Sequence, residues 1–300
     1  MRRYANLAGA ALLLAVLWCG PAAAGIFGSS GKTDDPVLAA DQTVDQIQRA
    51  IDDQRYLDAG QALDQALAAA SGDQRLVLLA GELSLARGHA EEAMTRFKQV
   101  DAAPTLRGRA LQGEGIALSL LGRSNEAVAM LQAAVTEDPS AWRAWNALAC
   151  EFDRRRDWQK AEAAYSHALT DSDNSPMVLN NRGFMRLSQQ RLDEAISDFV
   201  AALQKKPDMP TARNNLRLAM AMKGEYGRSV SGAASGDRAA ALNNAGYAAI
   251  LRQDYGEAKR LLDEAMKAKG GYYAMAAANL EMAAALETDS NAGAADVSRR

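Results

Sequence analysis

The chain has 300 residues, 48% of them hydrophobic but only 6% aromatic, with 7 Pro and a formal net charge of −3. Good helix formers (Ala, Leu, Glu, Gln, Arg) dominate and long β-branched runs are missing, which argues against an all-β sandwich or barrel. The acidic balance argues against a general nucleic-acid binder, and 2 His with 2 Cys cannot build a zinc finger or a disulfide scaffold.

At the N-terminus, Arg2 and Arg3 precede an apolar run from Leu7 to Trp18. As a helix these twelve residues would rise only about 18 Å, too short to span a bilayer comfortably. With Ala22, Ala23 and Ala24 behind them they read as a secretory signal peptide, residues 1–24, cleaved after Ala24. Cleavage there leaves a mature charge of −5 and Cys150 as the only thiol. A second reading stays open. Cys19 directly follows the apolar run, where a bacterial lipoprotein signal places its acylated residue, although Trp18 is larger than that pattern wants. Either way the chain is expected to be exported, periplasmic or outer-membrane associated, with any membrane tether made through lipid alone. Residues 25–39, rich in Gly, Ser, Asp and Lys, read as a flexible leader.

From residue 40 a repeat takes over. Ala59, Ala93, Ala127, Ala161 and Ala195 stand 34 residues apart, each followed by an amphipathic run. The next step lands on Ser229, and a further copy carries Ala258. With this Ala numbered 20, position 4 is Val77, Leu111, Trp145, Leu179 and Leu242. Position 8 is Gly81, Gly115, Ala149, Gly183 and Gly246. Position 24 is Leu63, Phe97, Leu131, Tyr165, Phe199 and Leu262. Gly88, Gly122 and Gly224 fall at position 15, and Pro139 and Pro207 at position 32, where a helix must stop. Small residues at 8, 20 and 27 let two antiparallel helices approach closely. Large apolar residues at 4 and 24 fill the gaps between units. One unit cannot bury its apolar face alone, so stacking is required. The spacing resembles the tetratricopeptide repeat and implies an all-α fold, a right-handed α-solenoid of helix-turn-helix units. The solenoid is expected over 40–272 in about seven units, followed by a capping helix at 273–286 and a disordered polar tail at 287–300.

The sixth unit, 210–238, departs from the pattern. Its second half, Gly227 to Asp237, is five residues short and rich in Gly and Ser. It reads either as a decayed helix or as a flexible break that opens a binding notch.

No catalytic, cofactor-binding or metal-ligating constellation is evident. His89 falls in an inter-helix turn and His167 on the outer side of a second helix, both expected as solvated surface groups. Gly227 to Gly236 lacks the order of a phosphate-binding loop and follows no strand. Glu91–Glu92 and Asp193–Glu194 stand at helix starts, where they favour the helix dipole. Arg154, Arg155 and Arg156 read as a solvated helix C-terminus offset by Asp153 and Asp157.

The remaining candidate is the inner groove lined by the first helix of each unit. Position 5 reads Gln112, Asn146, Asn180, Asn214 and Asn243, and position 6 adds Asn181, Asn215 and Asn244. A side-chain amide both donates and accepts, so such a ladder can pair with the backbone of an extended peptide whatever its sequence. Position 9 supplies Ile116, Cys150, Phe184, Leu218 and Tyr247 for apolar side chains, with Phe184 and Tyr247 the aromatic contacts. The competing reading is that these amides bond neighbouring helices.

Three stretches carry a narrower resemblance: NNRGF at Asn180–Phe184, ARNNLRLAMAMKGEY at Ala212–Tyr226 and LNNAGYAAILRQDYGEA at Leu242–Ala258. Together with the exported N-terminus they resemble the TadD repeat proteins of tight-adherence (Flp) pilus assembly. That resemblance implies a non-catalytic adaptor or assembly factor for an envelope machine, with a secretin or another pilus component as partner, and a lipid anchor. The alternatives are a scaffold for peptidoglycan enzymes or exopolysaccharide export, on the same fold, and an enzyme. No nucleic-acid partner and no cofactor are expected.

Overall fold

A computed structural model describes residues 36–70, 72–100, 104–271 and 273–297. Among them the secondary structure is α-helical throughout, in fifteen helices. These are α1 (Pro36–Asp52), α2 (Tyr56–Ala69), α3 (Gln74–Ala86), α4 (Ala90–Gln99), α5 (Pro104–Leu120), α6 (Ser124–Glu137), α7 (Trp142–Arg154) and α8 (Trp158–Asp171). They continue with α9 (Pro176–Ser188), α10 (Leu192–Lys205), α11 (Pro210–Lys223), α12 (Tyr226–Val230), α13 (Arg238–Leu251), α14 (Tyr255–Lys269) and α15 (Ala274–Val297).

The turn inside each pair is built from a local rule. One residue adopts the left-handed conformation, at Gln54, Gly88, Gly122, Arg156, Gln190 and Gly224, 34 residues apart, and then at Gln253. The next residue stands at the N-cap position of the second helix, and in six pairs its side chain reaches the residue three places on. Arg55 meets Asp58, Arg123 meets Glu126, Asp157 meets Lys160, Arg191 meets Glu194 and Glu225 meets Arg228. His89 lies 3.6 Å from Glu92 in the same geometry. The order of charges is reversed at Asp157 and Glu225, yet each version leaves one carboxylate at the start of the helix, where the dipole favours it. Exposed pairs of this kind contribute roughly 0.2–1 kcal/mol each. They set where each second helix begins more than they hold the fold together.

Packing follows the small-residue positions. Ala59, Ala93, Ala127, Ala161, Ala195 and Ala258 are completely buried, as are Leu131, Tyr165, Phe199 and Leu262. Buried side chains the size of these last four stabilise by roughly 1.5–3 kcal/mol each. The described residues divide into two compact units, one ending at Asn174 and the other beginning at Ser175. In the first unit α1 packs on α3, α3 on α5 and α5 on α7, so the first helices form one layer and each second helix packs on the first helices beside it. In the second, α9 packs on α11, α11 on α13 and α13 on α15 in the same manner. Each unit is an α-solenoid of helix-turn-helix pairs.

Two expectations are corrected at the margins. Helix α1 starts at Pro36, inside the stretch read as a flexible leader, because Pro36 supplies a helix-ready φ at the first position. Helix α15 runs to Val297, well past residue 286, so the segment to 297 is helical rather than disordered. Lys259 on α14 holds Glu287 at 2.6 Å, and the alanine-rich sequence beyond favours continuation. The second helix of the sixth pair is α12, cut to five residues, which fits the decayed-helix reading. The signal-peptide, lipidation and Gly25-start readings, Cys19 among them, lie outside the described residues.

Candidate functional site

In the first unit the first-helix face is ionic. Arg109 of α5 donates from Nη2 to Gln48 Oε1 of α1 and to Glu82 Oε1 of α3, both at 2.7 Å. Burial raises the Asp52 carboxyl above its ordinary range, against the lowering effect of Arg143. Burial likewise lowers Arg143, whose guanidinium lies 4.5 Å over the Trp142 ring. Gln112 is half-buried beside this network, and Asn146 is buried at 3% exposure.

In the second unit the same face carries amides. Asn215 of α11 donates from Nδ2 to Asn180 Oδ1 of α9 at 3.0 Å, and Asn279 of α15 donates to Asn243 Oδ1 of α13 at 3.0 Å. These bonds tie consecutive first helices together. Asn181 and Asn243 are buried at 6% and 5% exposure. The peptide-binding expectation is therefore corrected for Asn146, Asn181 and Asn243, whose side chains solvent barely reaches. It is corrected in part for Asn180 and Asn215, which are half-buried and bonded to each other. Asn214 and Asn244 remain exposed on the adjacent helices α11 and α13. Tyr247 is half-buried on α13, where burial raises its hydroxyl pKa. Phe184 is also half-buried but packs into the cluster around Phe199 and Leu187. Cys150 is 1% exposed, its sulfur 3.5 Å from the Tyr165 hydroxyl, and so lines no groove.

Other polar groups serve packing. Glu151 is fully buried and accepts from Ser124 Oγ at 2.5 Å and from Ser119 and Arg154. Arg155 donates to Ser124 Oγ at 2.9 Å. Arg154, Arg155 and Arg156 stand exposed at the end of α7, as expected of a solvated helix C-terminus, and the first two also bond to Ser119 of α5 and Ser124 of α6. His167 is exposed, but its ring stacks on Trp145 at 4.4 Å. Asp198 of α10, 3% exposed, receives Arg182 through two bonds of 3.0 and 2.6 Å and Arg186 at 2.8 Å. A cleft of about 210 Å³ between α2, α3 and α4 is lined by Leu57, Leu63, Leu67, Leu83, Arg87 and Arg96 among others. Among the described residues no group of three or more His, Cys, Asp or Glu could hold a metal ion, and no helix is long and apolar enough to cross a membrane.

The helix pairs with a 34-residue period in the middle of the chain are matched by a family model. The model described as Tetratricopeptide repeat matches residues 113–176 and 146–210. Over those residues the chain is similar to the tetratricopeptide repeat. The solved structure of the APC/C hetero-tetramer Cut9-Hcn1 is similar at 15% identity with a TM-score of 0.62, covering 79% of this chain and 48% of that one. A thermophilic tetratricopeptide repeat protein of Thermus thermophilus superimposes at 20% identity with a TM-score of 0.55, covering 60% of this chain and 98% of that one. The C-terminal part of a repeat-containing protein of Cytophaga hutchinsonii gives 15% identity and a TM-score of 0.54, covering 79% and 99%. These likenesses concern the fold. Human protein O-mannosyl-transferase TMTC1 is 26% identical over 150 residues, 49% of this chain. This stretch spans only 17% of that relative's length.

Proposed function

We propose that this chain is a non-catalytic scaffold that captures a segment of a protein partner on the first-helix face of its second unit. The observation that carries the reading is the contrast within the amide ladder. Asn180, Asn215, Asn243 and Asn279 are committed to inter-helix bonds, whereas Asn214 and Asn244 stay exposed beside half-buried Leu218 and Tyr247. A preformed surface of this kind gains affinity from many modest contacts at small ordering cost. The likeness to the Cut9-Hcn1 assembly fits a protein partner. An exported assembly factor for a tight-adherence pilus is the finer reading, supported by the apolar Leu7–Trp18 run and by the stretches around Asn180, Asn214 and Asn243. Organisation of peptidoglycan enzymes or exopolysaccharide export is its rival on the same face. Mannosyl transfer is not carried over from TMTC1, since the shared stretch is less than a fifth of that protein.

The test is cross-linking in living cells, purification of the tagged full chain and identification of partners and of the N-terminal peptide by mass spectrometry. Secretin or other pilus components are expected. Asn214→Ala with Asn244→Ala should cut their recovery at least fivefold with an unchanged helical spectrum. Unchanged recovery would overturn the groove reading. Peptidoglycan or polysaccharide enzymes in place of pilus components would replace the finer one. An acylated Cys19 places the chain on the outer membrane, and a Gly25 start makes it soluble periplasmic.

A further inference from the structure

The sixth helix pair breaks the packing rule at both ends of one contact. In four other pairs a first-helix glycine faces a large second-helix side chain sixteen residues on. A Cβ on Gly81, Gly115, Gly183 or Gly246 would come within 2.7 Å of Phe97, Leu131, Phe199 or Leu262 respectively. The residue 34 places after Gly183 is Arg217, and the residue 34 places after Phe199 is Ala233, in the loop beyond α12. The apolar position four residues earlier, Leu179 in α9, becomes Arg213 in α11. Where the second helix is cut to five residues, the helix face that would have packed on it has turned cationic.

Among the described residues these two arginines meet no carboxylate. Arg213 donates to Pro207 O at 2.8 Å and Arg217 to Gly232 O at 3.2 Å, both neutral acceptors. In the preceding pair the first-helix arginines do meet an acid, as Arg182 and Arg186 meet Asp198. Residues 205–238 hold seven basic and three acidic residues, a net +4 in a chain whose total is −3. Lys206 and Arg238 are exposed, as is most of the loop from Ser231 to Asp237. A half-buried guanidinium is satisfied far better by a carboxylate than by a lone carbonyl, and it binds one through two parallel bonds.

We propose that the sixth pair is a docking site for an acidic helix of a protein partner, which lies against α11 beside α12 in the place a full second helix takes in the other pairs. Two carboxylates four residues apart on that helix would meet Arg213 and Arg217, which are themselves four apart on one face of α11. The full second helices of the other pairs run 10 to 15 residues, so a partner helix of two to three turns suffices. The inference rests on the scaffold reading but uses a different surface, so the two can fail separately.

The experiment places a photo-cross-linking residue at Ala233, and in a parallel sample at Asn214, in the full-length chain inside its own cells. The expected result is an adduct at 233 whose partner peptide maps to an acidic helical segment. Arg213→Glu with Arg217→Glu should lower that yield at least tenfold with unchanged helical content, and reversing the two partner carboxylates to Lys should restore it. If the doubly reversed chain misfolds, Arg213→Gln with Arg217→Gln takes its place, with the same loss expected. Adducts at 214 but none at 233 would overturn this inference and leave the scaffold reading standing. Silence at both positions would sink both. Lipid adducts at 233, with the purified chain sedimenting on phosphatidylglycerol vesicles and not on neutral ones, would replace the protein helix with an anionic membrane surface.

Discussion

A Cβ built on Gly81 would lie 2.6 Å from Cε1 of Phe97, and one built on Gly113, one first helix further on, would press closer still on Cζ at the tip of the same ring. Phe97 is 2% exposed and so fills the space between α3 and α5 only because both helices present glycine there. Alanine has the better helix propensity by about 1 kcal/mol, but the ring cannot retreat from both sides, and overpacking of a filled core costs roughly 1–3 kcal/mol. Gly81→Ala should therefore lower stability by up to about 2 kcal/mol in urea unfolding followed by circular dichroism. Gly256→Ala, in the first turn of α14 with nothing within 4 Å, should raise it by about 0.5–1 kcal/mol. Equal effects at the two sites would show that packing does not decide between them.

The left-handed turn residues give a second contrast. Gln190 sits at φ 62° and Gln253 at φ 63°, where a side chain costs roughly 1–2 kcal/mol. Part of that cost is recovered because glycine is freer in the unfolded chain. Gln190→Gly and Gln253→Gly should each stabilise by about 0.5–1 kcal/mol, and Gly122→Ala, at φ 75°, should destabilise by about 1 kcal/mol. Thermal unfolding of the three variants checks the signs. A loss of stability in both glycine variants would mean that the glutamine side chains contribute more than the strain removes.

The core of Asp198 provides a third. Its carboxylate is 4% exposed and faces Arg182 and Arg186, themselves 18% and 13% exposed. Asp198→Ala removes the buried carboxylate that the two poorly solvated guanidinium groups share, while Arg186 keeps Glu194 at 3.8 Å, a loss of roughly 3–5 kcal/mol. The second unit should then unfold at lower urea concentration, read by hydrogen exchange on α9 and α10. A change under about 1 kcal/mol would place the pair among the weak surface bridges instead.

Much of the fold was legible because its signal is periodic. Ala59 to Ala195 mark the second helices, and Gly81 to Gly246 mark where first helices approach them. The turns were half legible. Gly88, Gly122 and Gly224 announce a left-handed residue, but Gln54, Arg156 and Gln190 take the same conformation without any compositional signal. The candidate site was read less well. An amide on a first helix looks the same in sequence whether it faces solvent, as Asn214 does, or bonds the next helix, as Asn243 does with Asn279. Only the packing distance separates the two. Asn279 was missed because it stands 36 residues after Asn243, off the spacing of the amides, whereas Gln48 and Glu82 keep the 34-residue spacing but precede the amide ladder and were passed over with Arg109. The exchange of glycine for Arg217 at that spacing was visible in the sequence, and its meaning came only with the contact between Gly183 and Phe199.

Asp153, on the last turn of α7, gives the pH dependence. Burial raises its pKa from 3.8 to about 6, and the nearby Arg154 charge offsets this only in part. Between those values the folded chain binds more proton than the unfolded one, so this group's contribution to stability falls as pH rises from about 4 to about 6. Each pKa unit corresponds to about 1.4 kcal/mol, and partial solvent access reduces the total to roughly 1–2 kcal/mol. Asp153→Asn keeps the shape and removes the titration. It should be more stable than the parent by about 1–2 kcal/mol at pH 7, with the difference shrinking to near zero by about pH 4. Thermal unfolding of both proteins across that range measures the difference curve, and the raised carboxyls of Asp52 and Glu114 cancel from it because both proteins carry them. A difference that stays flat with pH would show that the Asp153 carboxyl is solvated and ordinary.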